Sequence, residues 1–221
     1  MSSSFFGLLK DHSLLEASQR QALEMLRTTH EMFRIAVRAL MEESSPPVKD
    51  KLRLLDQQVN QGQQEVRRKV FEALALSQGK NLLTGLRLLN IVIDLERIGD
   101  YTKNMAELDA MFPKSLSFHE YTEIVDDILA KTGQLFDVTH RVIETGERAE
   151  AERGLALYQQ VAALCDRKLE KLVAADTGED TVPRWQMALV LLLRYDKRVA
   201  AHLKNVCSAE INPFHRIGFR P

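Results

Sequence analysis

Apolar residues recur every three or four positions through this chain, in stretches about thirty residues long that proline and glycine interrupt. That spacing marks one face of an α-helix. The first stretch predicts a helix over 14–43, with Ala22, Leu26, Thr29, Phe33, Ala36, Val37 and Leu40 on one stripe. Ser44-Ser45-Pro46-Pro47 ends it and supplies cap and first-turn residues for a second helix over 47–77. The second carries Leu52, Leu55, Val59, Val66, Val70 and Ala73 inward; Gly79 breaks it, and a third helix runs over 80–111 before Pro113. Further helices are predicted over 117–145, 149–175 and 183–209, with 177–181 as a loop and Pro183 in a first turn. Val and Ile never alternate as strands require. The plan is all-α: six long helices in two tandem antiparallel three-helix bundles, 1–113 and 114–221.

The halves repeat. A shift of 101 residues sets Arg97, Ile98, Gly99, Lys103, Asn104 and Met105 against Arg198, Val199, Ala200, Lys204, Asn205 and Val206. The same shift sets Glu96 against Lys197 and Asp100 against Ala201. A duplicated bundle whose second copy has lost its acids accounts for both observations.

The third helix changes character along its length. From Leu82 to Ile93 apolar residues fall on all sides, which predicts burial all round. Beyond Ile93 one side stays apolar through Leu95, Ile98, Thr102 and Met105, while the other becomes Glu96, Asp100, Asn104 and Glu107. Glu96, Asp100 and Asn104 follow at i, i+4 spacing and share a face. Like charges so placed repel by about 0.2–0.5 kcal/mol on an isolated helix. A cation bound between them would relieve that repulsion, and carboxylates one turn apart suit hard cations, or iron and zinc with further ligands. Asn104 could add a carbonyl ligand. Gly99 removes a side chain beside the strip, which would let a backbone or a bound group approach. Two other readings stay open: a solvated face, with Lys103 pairing Asp100 and Glu107 and Arg97 beside the acids, or a polar contact with a partner protein. Asp56 and Glu65 on the second helix are candidate additional ligands.

Charge and composition narrow the classes. With 30 Lys plus Arg against 31 Asp plus Glu, the formal net charge is −1, so no basic footprint for nucleic acid exists. Cys165 and Cys207 lack metal-ligand spacing and read as buried hydrophobes. The six histidines show no paired zinc spacing. No nucleophile elbow, glycine-rich phosphate loop or Glu-x-x-His pair occurs, so an enzyme is not expected. The longest apolar run, near 187–193, falls short of the roughly 20 residues that span a bilayer, so a cytoplasmic protein is expected. Phe5, Phe6, Leu8 and Leu9 would pack on the first bundle or insert into a partner, and Trp185 is expected in the core.

The run Asp94-Leu95-Glu96-Arg97-Ile98-Gly99-Asp100 followed by Asn104 resembles the signature of the PhoU family, regulators of phosphate uptake built from two three-helix bundles. Leu86-Arg87 upstream resembles the pair that precedes that signature. Asn212-Pro213-Phe214 with Arg216-Ile217-Gly218-Phe219 resembles the tail of short members. The resemblance implies a non-catalytic adaptor that contacts a membrane phosphate transporter and its sensor histidine kinase. Glu96 and Asp100, with Asn104 in support, would be ligands of a multinuclear site for iron, zinc or nickel, with magnesium or calcium also open, or no metal at all. Lys197 and Ala201 depart from the signature, which confines such a site to the first bundle or completes it across a homodimer. The alternative function is a metal-binding or storage bundle, or a helical scaffold, unrelated to phosphate.

Overall fold

A computed structural model describes residues 13–41, 48–76, 81–111, 118, 121–174 and 183–219. They form six long helices: α1 (Ser13–Met41), α2 (Lys49–Leu76), α3 (Leu82–Met111), α4 (Thr122–Thr145), α5 (Arg148–Ala174) and α6 (Arg184–Ile211), followed by one 3-10 turn (Phe214–Arg216). No strand occurs among the described residues. Each boundary lies within a few residues of the sequence expectation; the largest difference is at the start of α4. Local chemistry sets the ends: Gly146 adopts φ 66°, a left-handed conformation that costs glycine little, and returns its N–H to the Val142 carbonyl. Pro183 precedes α6 and accepts the Gln186 N–H. The expected role of residues 1–10 lies outside the described residues.

Helices α1 to α3 pack as one bundle and α4 to α6 as another, and the two bundles share an extended interface. The chain repeat is a repeat of core positions. Buried Leu15, Ala22, Leu26, Thr29, Met32 and Phe33 of α1 correspond, 103 residues on, to buried Phe118, Val125, Leu129, Thr132, Leu135 and Phe136. Buried Leu88, Ile91, Val92, Leu95, Ile98 and Met105 of α3 correspond, 101 residues on, to buried Leu189, Leu192, Leu193, Asp196, Val199 and Val206. A shift of 99 pairs Leu52, Gly62, Val66 and Ala73 of α2 with Ala151, Val161, Cys165 and Leu172 of α5. Both cysteines are buried, as expected.

The bundles face each other through α1 against α4 and α3 against α6, each pair antiparallel. Gln19 of α1 donates to the Ile143 carbonyl (2.7 Å), whereas Phe33, further along α1, meets Phe136 at 5.3 Å between centroids. On the other side Arg87 donates to the Asn212 carbonyl (3.4 Å) while Tyr101 meets Tyr195 at 6.3 Å. The joint obeys a local two-fold: Asp94 and Tyr101 correspond to Tyr195 and His202, so the Asp94–His202 contact has its symmetric counterpart in Tyr195–Tyr101. Corresponding residues also meet across the axis, Phe33 on Phe136 and Tyr101 on His202.

Two expectations are corrected. The start of α3 is not buried all round, since Leu82, Leu83 and Ile93 remain 41–54% exposed; α2, α1 and α6 leave one side of that helix to solvent. Gly99 does not open the acidic strip. It is buried against α1, where an added Cβ would sit 3.7 Å from Thr29 and 3.8 Å from Met32, in ordinary contact.

Candidate functional site

The acidic strip lies in the groove between α2 and α3. Leu95, Ile98, Thr102 and Met105 are drawn into the core, which leaves Glu96, Asp100, Lys103 and Asn104 only partly buried, with Lys103 reaching α2. There Asp56 joins them: the Lys103 ammonium bridges Asp56 Oδ1 (2.8 Å) and Asp100 Oδ1 (3.0 Å). Asn60 donates to the other Asp56 oxygen at 3.3 Å. Arg97, the most exposed member, reaches Asp100 Oδ2 (3.3 Å) and Glu96 Oε2 (3.6 Å). Asn104 is half-buried one turn beyond Asp100. Glu65 belongs elsewhere, paired with Lys69 along α2.

The electrostatics follow from partial burial. Desolvation pushes the Glu96 carboxyl above the usual range, and the Asp100 charge beside it adds to the effect, against the pull of Arg97. Burial works against the charge on Lys103, yet its hydrogen bonds to Asp56 and Asp100 raise its amine above the ordinary lysine value. Three acids and two bases thus share the groove, with the Lys103 ammonium standing where a bound cation would stand. Oxygen donors of this kind suit a hard cation. Among the described residues, however, no three His, Cys, Asp or Glu side chains converge closely enough to hold one as they are placed. A metal would therefore have to displace Lys103.

The corresponding groove of the second bundle, between α5 and α6, is rebuilt. Lys197 replaces Glu96 and pairs with Asp166; Ala201 replaces Asp100; Leu155 replaces Asp56. Lys204, the counterpart of Lys103, donates instead to the Gly218 carbonyl and lies 5.3 Å from the Tyr158 ring centre. The segment after α6 is strapped over this face. Gly218 N–H donates to Ser208 Oγ (2.7 Å), and Asn212 Nδ2 donates to the carbonyls of Arg216 (2.9 Å) and Phe219 (2.8 Å). Gly218 adopts φ 86°, and a side chain there would also press on Asn205, 3.0 Å away. A cleft of about 580 Å³ remains beside the strap, lined in part by Tyr158, Asp166, Lys197 and Lys204.

Asp94, first residue of the signature run, does different work from its neighbours. Its Oδ1 lies 2.7 Å from His202 Nδ1 and accepts a 2.9 Å bond from Asn205 Nδ2, tying α3 to α6. Sequence reasoning missed this role, although two residues along a helix is a 200° turn that sets Asp94 well away from Glu96. The repeat itself held the signal, since it makes Tyr101 and His202 counterparts. His30 likewise serves the joint, stacked on Phe136 at 4.5 Å, with burial and Arg34 lowering its pKa to about 4.

Residues 22–108 match the family described as PhoU domain. The chain is 26% identical over 90% of its length to a phosphate-specific transport system accessory protein PhoU homolog 1 of Thermotoga maritima, covering 80% of that protein. It is 24% identical over 87% of its length to a PhoU homolog of the same description from Deinococcus radiodurans, covering 90% of it. The crystal structure of PhoU from Pseudomonas aeruginosa superposes with TM-score 0.82 over 90% of this chain and 96% of that one, at 20% identity, which establishes the shared fold.

Proposed function

Because the chain belongs to the PhoU family, we propose that it is a non-catalytic regulator of phosphate uptake, acting in the cytoplasm as an adaptor for a membrane phosphate transporter and its sensor histidine kinase. Two relatives that align along nearly all of this chain are phosphate-specific transport accessory proteins, and that correspondence carries the reading. Long helices with an exposed charged groove are suited to docking a partner helix. No helix among the described residues is long and apolar enough to cross a membrane, so contact with a transporter would be peripheral.

The groove between α2 and α3 is the proposed cation-responsive element. A divalent ion entering at Glu96 and Asp100, with Asp56 across the groove and Asn104 one helical turn on as further donors, would release Lys103 and reset the charge that this face presents. Binding of iron, zinc or nickel and assembly as a homodimer belong to this proposal.

Loss of the protein should leave phosphate uptake unrestrained in phosphate-replete cells, read by labelled phosphate uptake; uptake indistinguishable from wild type would defeat the adaptor reading. Elemental analysis of protein purified without chelator addresses the groove. Wild type should carry metal that disappears in Glu96→Ala/Asp100→Ala, and Lys103→Met should retain at least as much. Metal unaffected by the double substitution would remove the groove from the proposal.

A further inference from the structure

At one core position a carboxyl breaks the apolar correspondence between the bundles. Where α3 buries Leu95, α6 buries Asp196, with no exposure to solvent at either. A neighbouring position changes with it: Val66 of α2 corresponds to Cys165 of α5. Thr29 and Thr132 occupy matching places in α1 and α4, but their bonding differs. Thr29 returns its hydroxyl to the Leu26 carbonyl (3.0 Å), whereas Thr132 donates to Asp196 Oδ2 (2.9 Å). Asp196 Oδ1 is buried without a hydrogen-bond partner.

We propose that Asp196 is a proton-operated packing switch in the second bundle: protonated, it seats α6 against α4 and α5, and ionised, it loosens that seat. Geometry supports this at each neighbouring element. The groups near Asp196 are the Thr132 hydroxyl from α4 and the Cys165 thiol from α5, whose own ionisation is pushed well beyond the usual range by burial and by Asp196. The adjacent ammonium, Lys197, is held by Asp166 outside the core. One hydroxyl donor does not compensate a buried carboxylate. Desolvation accordingly raises the Asp196 pKa to about 7, with the Thr132 bond opposing. The folded state then binds its proton more tightly than the unfolded chain does. The stability this contributes is complete below the unfolded-chain pKa and is lost as pH rises through about 7.

The switch has a place to act. Asp196 is flanked by Tyr195, which packs on Tyr101, and lies under two turns from His202, which holds Asp94. A looser α6 therefore slackens the joint between bundles. This inference stands apart from the family reading and needs neither metal nor partner.

Denaturant unfolding of the full chain tests it, followed through Trp185, the single tryptophan, which packs on Tyr121 in the second bundle. From pH 4 to pH 8 the wild-type unfolding constant should rise by roughly five hundredfold relative to Asp196→Leu, the residue its counterpart carries. Asp196→Asn, which keeps the size and an acceptor for Thr132, makes the same comparison should the leucine variant fail to fold. A wild-type pH slope shared by the variant that folds would overturn the proposal. Amide exchange over 195–203, corrected for intrinsic rates, should quicken at pH 8 in wild type alone; equal exchange would overturn the link to the joint.

Discussion

The groove between α2 and α3 and its counterpart between α5 and α6 descend from one plan and have been filled in opposite ways. The first gathers Asp56, Glu96 and Asp100 around the ammonium of Lys103. The second keeps that lysine as Lys204, exchanges its acidic partners for Leu155 and Ala201, and gives it a backbone carbonyl from the strapped segment. Beneath both grooves the buried positions match almost one for one. The lesson is that the two copies kept which positions are buried while exchanging many of the side chains there, and that the outward faces of the same helices diverged in charge as well, into an acidic groove in one copy and a strapped face in the other. Asp196 stands out among the exchanges, a fully buried carboxyl where the counterpart is a leucine.

Transplanting that carboxyl into the first bundle should have the largest effect. Leu95→Asp puts the carboxyl of the second bundle into the first, opposite Thr29 as Asp196 is opposite Thr132. It removes a fully buried leucine and buries an acid, and should cost roughly 4 kcal/mol at pH 8. Part of this should return at pH 5, where the carboxyl is neutral. A pH-independent loss, measured by denaturant titration, would show that the two cores are not equivalent in polarity.

A large-to-small reversal provides the next test. Leu55 of α2 and Ala106 of α3 correspond to Gly154 of α5 and Cys207 of α6. A Cβ on Gly154 would come 2.6 Å from Cys207 Sγ. Gly154→Ala should therefore destabilise by about 1–3 kcal/mol despite the better helix former. Adding Cys207→Ala should recover most of it, and thermal melts of the two single variants and the pair decide the matter.

Across the joint the symmetric contacts differ in kind. Asp94–His202 is a half-buried hydrogen-bonded pair and Tyr195–Tyr101 an aromatic one. Double-mutant cycles to alanine should give about 1–2 kcal/mol of coupling for the first and about 0.5–1 kcal/mol for the second. Equal or reversed values would mean that the polar contact is not the stronger tie.

Much of this was legible in the chain. The period of apolar residues gave six helices, and on α2 all of Leu52, Leu55, Val59, Val66, Val70 and Ala73 proved buried. The i, i+4 spacing of Glu96, Asp100 and Asn104 follows from the helix itself, because helical spacing is a local property. Partners from other helices were not determined by spacing: Asp56 could be suggested for the strip but not placed in register, and Asp94 could not be assigned to α6. Nor could a charge count distinguish Asp196 from a surface acid, since it lies beside Tyr195 and Lys197 in a polar-looking stretch. The repeat would have exposed it, by setting it against Leu95.

Gly99 and Ala200 supply the finest test, because they are counterparts that differ by one methyl group. A glycine inside the signature run invites the view that something must approach closely there. Its surroundings show otherwise: the nearest atoms to an added Cβ are the Thr29 methyl at 3.7 Å and Met32 at 3.8 Å, ordinary contact distances. Ala200 occupies the matching place, fully buried. Gly99→Ala should therefore raise stability by up to about 1 kcal/mol, the helix penalty of glycine being removed without overpacking. It should leave the ion pairs of Asp100 and Lys103 intact. A destabilised variant in thermal melts would mean that α3 has less room against α1 than α6 has against α4, and the equivalence of the two bundles would fail at this position.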